Sequence, residues 1–88
     1  MPSELTARFS QALQTTTIPV LSRFDYARDY RAAHKEYSAR VTMKTLLLLN
    51  FTERRAERLI ATYPGNAGQR LRAMVRAGWI KEDVSHDV

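Results

Sequence analysis

The stretch Gly65–Ile80, GNAGQRLRAMVRAGWI, decides how this chain is read. Asn66 is a strong helix N-cap, and residues 67–76 contain no proline and a single β-branched side chain, Val75. Ala67, Leu71, Met74 and Val75 recur at helical spacing and form one apolar stripe. Gly78 stands where a helix closes through a left-handed residue, and Trp79-Ile80 supplies the apolar closure behind it. The other side of the wheel carries Gln69, Arg72, Ala73 and Arg76, flanked by Asn66 and Arg70. The question is whether this basic face is merely solvated or meets a polyanion.

Working outward, TERRAERLIATY (52–63) reads as a second capped helix. Thr52 is its N-cap, Ala56, Leu59, Ile60 and Tyr63 face inward, and Arg54 and Arg58 face outward. Pro64-Gly65 breaks the chain between the two helices. Residues 43–49 read as a short, fully buried helix capped by Thr42, because leucines occupy nearly every side. Upstream, residues 24–40 form a longer helix with Tyr26, Tyr30, Ala33 and Tyr37 on one face. Arg28, Arg31 and Lys35 lie opposite, with Asp25, Asp29 and Glu36 at helical spacing for pairing. Ser3 caps a first helix ending near Gln14, with Leu5, Phe9, Ala12 and Leu13 on one stripe, and residues 15–21 cross over as an extended connector. No run of alternating β-branched residues is long enough for a sheet.

The expectation is an all-α chain, a small bundle of about five helices. It forms a single domain over residues 1–88: N-terminal helices in 1–40, a tri-helical half in 43–80 and an acidic tail in 81–88. Leu46, Leu47, Leu59, Ile60, Leu71, Met74, Val75 and Trp79 are the expected core.

Eighty-eight residues can bury one thin core but not two. A 44% hydrophobic and 26% charged composition is that of a globular chain. Net charge is +5, from 14 Lys and Arg against 9 Asp and Glu. The surplus is local: residues 54–76 hold arginines 54, 55, 58, 70, 72 and 76 against the single acid Glu57, a net +5, so the remainder sums to zero. Such a footprint favours a polyanionic partner or an acidic protein surface.

The chain has no cysteine, which excludes disulfides, thiolate metal sites and cysteine nucleophiles. MPSELTARF lacks the apolar core of a signal peptide, and the run Leu46–Leu49 is far too short to span a bilayer, so a cytoplasmic protein away from membranes is expected. The sequon Asn50-Phe51-Thr52 is then a chance match. His34 lies in a helix and His86 in a tail with Glu82, Asp83 and Asp87, so neither builds a metal site with credible spacing. No glycine-rich phosphate loop, nucleophile elbow or isolated carboxylate pair is present, so no enzyme, cofactor or metal is expected.

Residues 43–80 resemble the three-helix core of winged-helix-type helix-turn-helix proteins. The resemblance rests on MKTLLLLN, FTERRAERLIATY and PGNAGQRLRAMVRAGWI, the last ending in the family's Gly-plus-hydrophobic pattern. It implies that the helix from Asn66 enters the major groove of double-stranded DNA, with Asn66, Gln69 and Arg70, and Ala67 beside them, at base-reading positions. Arg72 and Arg76 would then touch phosphate, with Arg54 and Arg58 adding to the basic surface. Glu57 departs from the small residue that many members keep there, and KEDVSHDV is too short and acidic for a full wing, so a wingless tri-helical variant is implied.

Two functions follow from these residues. The first is a small DNA-binding regulator of transcription, of plasmid or phage type. The second is a helical inhibitor or adaptor of the kind mobile elements encode, such as an anti-CRISPR or a polymerase inhibitor, setting its arginines or tyrosines against an acidic partner. Tyr26, Tyr30 and Tyr37 are read first as a core face with hydroxyls at its rim, the alternative being a protein interface or a homodimer seam.

Overall fold

The computed structural model describes residues 3–17 and 26–81, without the side chains of 26–29. Its regular structure is entirely α-helical: α1 (Glu4–Thr15), α2 (Tyr26–Leu48), α3 (Glu53–Thr62) and α4 (Ala67–Arg76). The expectations for residues 18–25, for the tail 82–88 and for the side chain of Tyr26 lie outside the described residues.

The all-α expectation holds, but among the described residues the helices number four rather than five. Residues expected as two helices, 24–40 and 43–49, form one 23-residue helix. Thr42 does not cap. Its hydroxyl donates to the Ser38 carbonyl at 2.7 Å, and Thr45 donates likewise to Val41 at 2.8 Å. With its hydroxyl satisfied four residues back, a threonine can be buried inside a helix. Val41 and Thr42 carry only a weak helix penalty, of a few tenths of a kcal/mol each, and neither glycine nor proline is there to stop the rod.

α2 is the spine. α1, α3 and α4 all pack on it, and the residues it buries, Ser38, Val41, Thr42, Thr45 and Leu46, belong to its C-terminal half. Leu46 joins Leu5, Ala56, Leu59, Leu71, Met74 and Ile80 in the main core, with Phe9, Ile60 and Val75 packed against it. A smaller cluster unites Ala12, Val41 and Ala67 with Phe9, Tyr37 and Leu48. By contrast Tyr30, Arg31, Ala32, His34, Lys35 and Glu36 are exposed, so this part of α2 stands clear of the core.

Each helix end has a local cause. Ser3 accepts from the Thr6 N–H at 3.1 Å and Thr52 from the Arg55 N–H at 3.2 Å, capping α1 and α3. α2 and α4 close in the same way. Asn50, at φ +70°, follows α2, where the Phe51 N–H reaches the Leu46 carbonyl and the Asn50 N–H that of Leu47. Gly78, at φ +90°, follows α4, where Trp79 reaches Met74 and Gly78 reaches Val75. Both are Schellman closures, which need a left-handed residue one position past the cap.

Three residues expected inside are substantially outside: Leu47 is 43% exposed, Trp79 is 44% exposed, and Leu13 is also exposed. The reason is angular. Leu46 and Leu47 lie about 100° apart on the helix; Leu46 enters the core, while Leu47 lies at the rim of a groove beside Ile60 and Ala61 of α3. After Gly78 the chain inserts Ile80, which is buried, and the neighbouring Trp79 points away. The tyrosine face divides too. Tyr37 packs against the smaller cluster, whereas Tyr30 is 46% exposed, its ring 5.9 Å from that of His34.

Candidate functional site

The sequence of α4 sorts its side chains into two faces. Ala67, Arg70, Leu71 and Met74 are buried, and Gln69, Arg72 and Arg76 are exposed on the opposite side. The exposed set is spaced three and four residues apart and so forms one stripe.

Arg70 stands on the buried side, not on the flank of the basic face where the sequence wheel put it. It is 7% exposed, and its Nε donates to the Tyr63 carbonyl at 2.7 Å. That carbonyl belongs to the C-cap of α3, so the arginine ties α4 to the end of the preceding helix. Its Nη1 is buried without a partner. Arg70 lies three residues after Ala67 and four before Met74, which by itself places it on the apolar stripe. A long aliphatic stem lets arginine line such a stripe while its head finds a carbonyl.

Asn66 and Gln69 are also engaged. The Gln69 N–H donates to Asn66 Oδ1 at 2.9 Å, and the Asn66 N–H donates to Gln69 Oε1 at 3.0 Å. This reciprocal capping box holds the start of α4 and uses the carbonyl oxygen of both side chains. Both residues are exposed, and the box uses neither amide NH2 group.

The exposed arginines form two surfaces. Arg72 and Arg76 line a groove between α4 and α1, facing Thr6 and Phe9. Arg54, Arg55 and Arg58 line another, of about 410 Å³, which also takes in Tyr63 and Trp79. There the Arg55 guanidinium sits over the Trp79 ring, 5.4 Å from its centroid, within cation–π range. The indole N–H of Trp79 donates to the Tyr63 hydroxyl at 3.2 Å, which fixes the ring's orientation. Among the described residues no acidic side chain lines this second groove.

Charge pairing is sparse. Among the described residues the one ion pair joins Glu36 and Arg40 at 2.8 Å. The guanidinium groups of Arg54, Arg58, Arg72 and Arg76 make no hydrogen bond or ion pair among the described residues. Nor do three or more His, Asp or Glu side chains come together there as a metal site. No helix among them is long and apolar enough to cross a membrane.

Sequence reasoning missed Arg55 and Trp79 as surface groups. After the C′ glycine Trp79 and Ile80 divide, the first exposed and the second buried. Which of the two entered the core was not legible from their types. No protein-family model, curated protein or solved structure matches the chain.

Proposed function

We propose that the chain is a small DNA-binding protein of the regulator class that lays α4 along the major groove of duplex DNA. The observation that carries this reading is the α4 stripe of Gln69, Arg72 and Arg76, opposite a fully packed face and bearing two arginines with no carboxylate partner among the described residues. Arg54 and Arg58 extend the same sign of charge onto the outer face of α3. Arg70 is withdrawn into the interior, so its guanidinium reads no base.

Within this reading, phosphate contact supplies most of the affinity and base contact little. Gln69 has its carbonyl oxygen in the capping box and offers chiefly its amide N–H groups. Four phosphate contacts from Arg54, Arg58, Arg72 and Arg76 would give a salt slope of about −3.6, at about −0.9 per contact. The test is a titration of labelled random-sequence duplex against wild type, Arg72→Ala and Arg76→Ala across a salt series. Each variant should weaken binding for every sequence and reduce the slope by about one. Absence of salt-sensitive duplex binding at micromolar protein would replace DNA with an acidic protein surface as the partner.

A further inference from the structure

We infer that the groove between α3 and Trp79 binds an unpaired nucleotide of single-stranded nucleic acid, its base stacking on Trp79 and its flanking phosphates meeting Arg54 and Arg58. This goes beyond the duplex reading: it shares Arg54 and Arg58 with that reading but uses no residue of α4 and does not rest on the α4 stripe.

Four observations converge on this ligand. A 44% exposed tryptophan is an unusual surface residue, and here its indole N–H donates to the Tyr63 hydroxyl, which favours one ring orientation. Arg55 over the ring supplies a cationic neighbour that a stacked base can share. Arg54 and Arg58 line the same groove, and no acid stands among its walls in the described residues, so it is complementary to a polyanion. Its volume, about 410 Å³, falls within the roughly 300–1,000 Å³ of small-molecule sites.

Arginines alone would suit any polyanion, and the oriented indole selects among them. A base in a closed duplex has both faces covered by its neighbours and cannot stack on a protein ring, whereas a base in a single strand can. An acidic peptide satisfies the arginines but brings no base to stack on the ring face that Arg55 does not cover.

The test exploits the fact that Trp79 is the only tryptophan. Wild-type protein is titrated with an oligothymidylate of about eight nucleotides, within the usual span of single-strand sites. Parallel arms use an abasic phosphodiester strand of equal length, a blunt-ended hairpin duplex, free thymidine monophosphate and polyglutamate. The oligothymidylate should quench Trp79 fluorescence saturably and bind about tenfold more tightly than the abasic strand, the scale of one stacked base. With a labelled strand followed by anisotropy, Trp79→Ala should lose that base-dependent advantage and Trp79→Phe should keep most of it. Arg54→Ala and Arg58→Ala should weaken base-bearing and abasic strands alike.

Equal binding of the abasic strand or of polyglutamate would overturn the proposal. So would unchanged strand binding by Trp79→Ala, or free nucleotide binding as tightly as the strand. If Trp79→Ala fails to fold, the wild-type quenching arms and Trp79→Phe decide the matter. Arg72→Ala and Arg76→Ala separate the two functional readings, because they should reduce duplex binding while leaving Trp79 quenching by the single strand in place.

Discussion

Replacing Arg70 with alanine separates a structural arginine from a base-reading one. The change removes the bond from Nε to the Tyr63 carbonyl, 2.7 Å long. Hydrogen bonds from a charged donor contribute about 1.5–3 kcal/mol. It also removes two buried methylenes, at about 0.8 kcal/mol each. Against this, the variant no longer buries the unpartnered Nη1, which relieves about 1–3 kcal/mol. Taking middle values, Arg70→Ala should destabilise the fold by about 2 kcal/mol, or about 8–16 °C in Tm for a chain of this size. Arg70→Met keeps the stem and discards both the bond and the unpartnered nitrogen, so its loss should stay within about 1 kcal/mol of wild type. The assay is thermal unfolding by circular dichroism, paired with duplex titration well below the lower Tm. An Arg70→Ala protein with an unchanged Tm and weakened duplex binding would refute the reasoning, since that pattern belongs to an exposed reading residue.

Two further outcomes follow from backbone and hydroxyl geometry. Gly65 and Gly78 both have positive φ, but a Cβ at Gly65 would meet Gln69 Oε1 at 2.6 Å, whereas one at Gly78 would meet nothing within 4 Å. Gly78→Ala should therefore cost only the left-handed penalty of about 1–2 kcal/mol, and Gly65→Ala should cost more by disturbing the capping box, as read from urea midpoints. Tyr63→Phe removes one hydroxyl and leaves the carbonyl that Arg70 uses. It should shift stability by about 0.5–1.5 kcal/mol and lower the steady-state fluorescence anisotropy of Trp79, and unchanged anisotropy would show that the hydroxyl does not fix the indole.

Much of the helical plan was legible because it rests on local chemistry. Ser3, Thr52 and Asn66 cap the helices that their residue types announce, and Gly78 ends α4 where only a left-handed residue serves. The fusion of two expected helices into α2 was not legible, since Thr42 has the same residue type whether its hydroxyl caps a helix or donates back to Ser38. The exposure of Leu13, Leu47 and Trp79 depends on how α1, α3 and α4 share the surface of α2, which a single helical wheel does not contain. The burial of Arg70 was different. Its spacing from Ala67 and Met74 already placed it on the apolar side, and the charge of its head concealed that position.

Tyr63 explains why the two cationic surfaces hold a fixed relation. Its N–H donates to the Leu59 carbonyl and closes α3, its carbonyl receives Arg70 from α4, and its hydroxyl receives Trp79 from beyond α4. Its ring, partly buried, packs on the main core. A residue tied at four points cannot rotate without breaking contacts to α3, to α4 and to the segment after α4 together. Backbone and side-chain bonds of this kind each contribute about 0.5–1.5 kcal/mol when neutral, and more where a guanidinium donates. The turn from Tyr63 to Asn66 is short and contains Pro64, which further limits its freedom. The α3 groove and the α4 stripe therefore sit on one rigid corner, and a partner that engages both must match their spacing rather than adjust it.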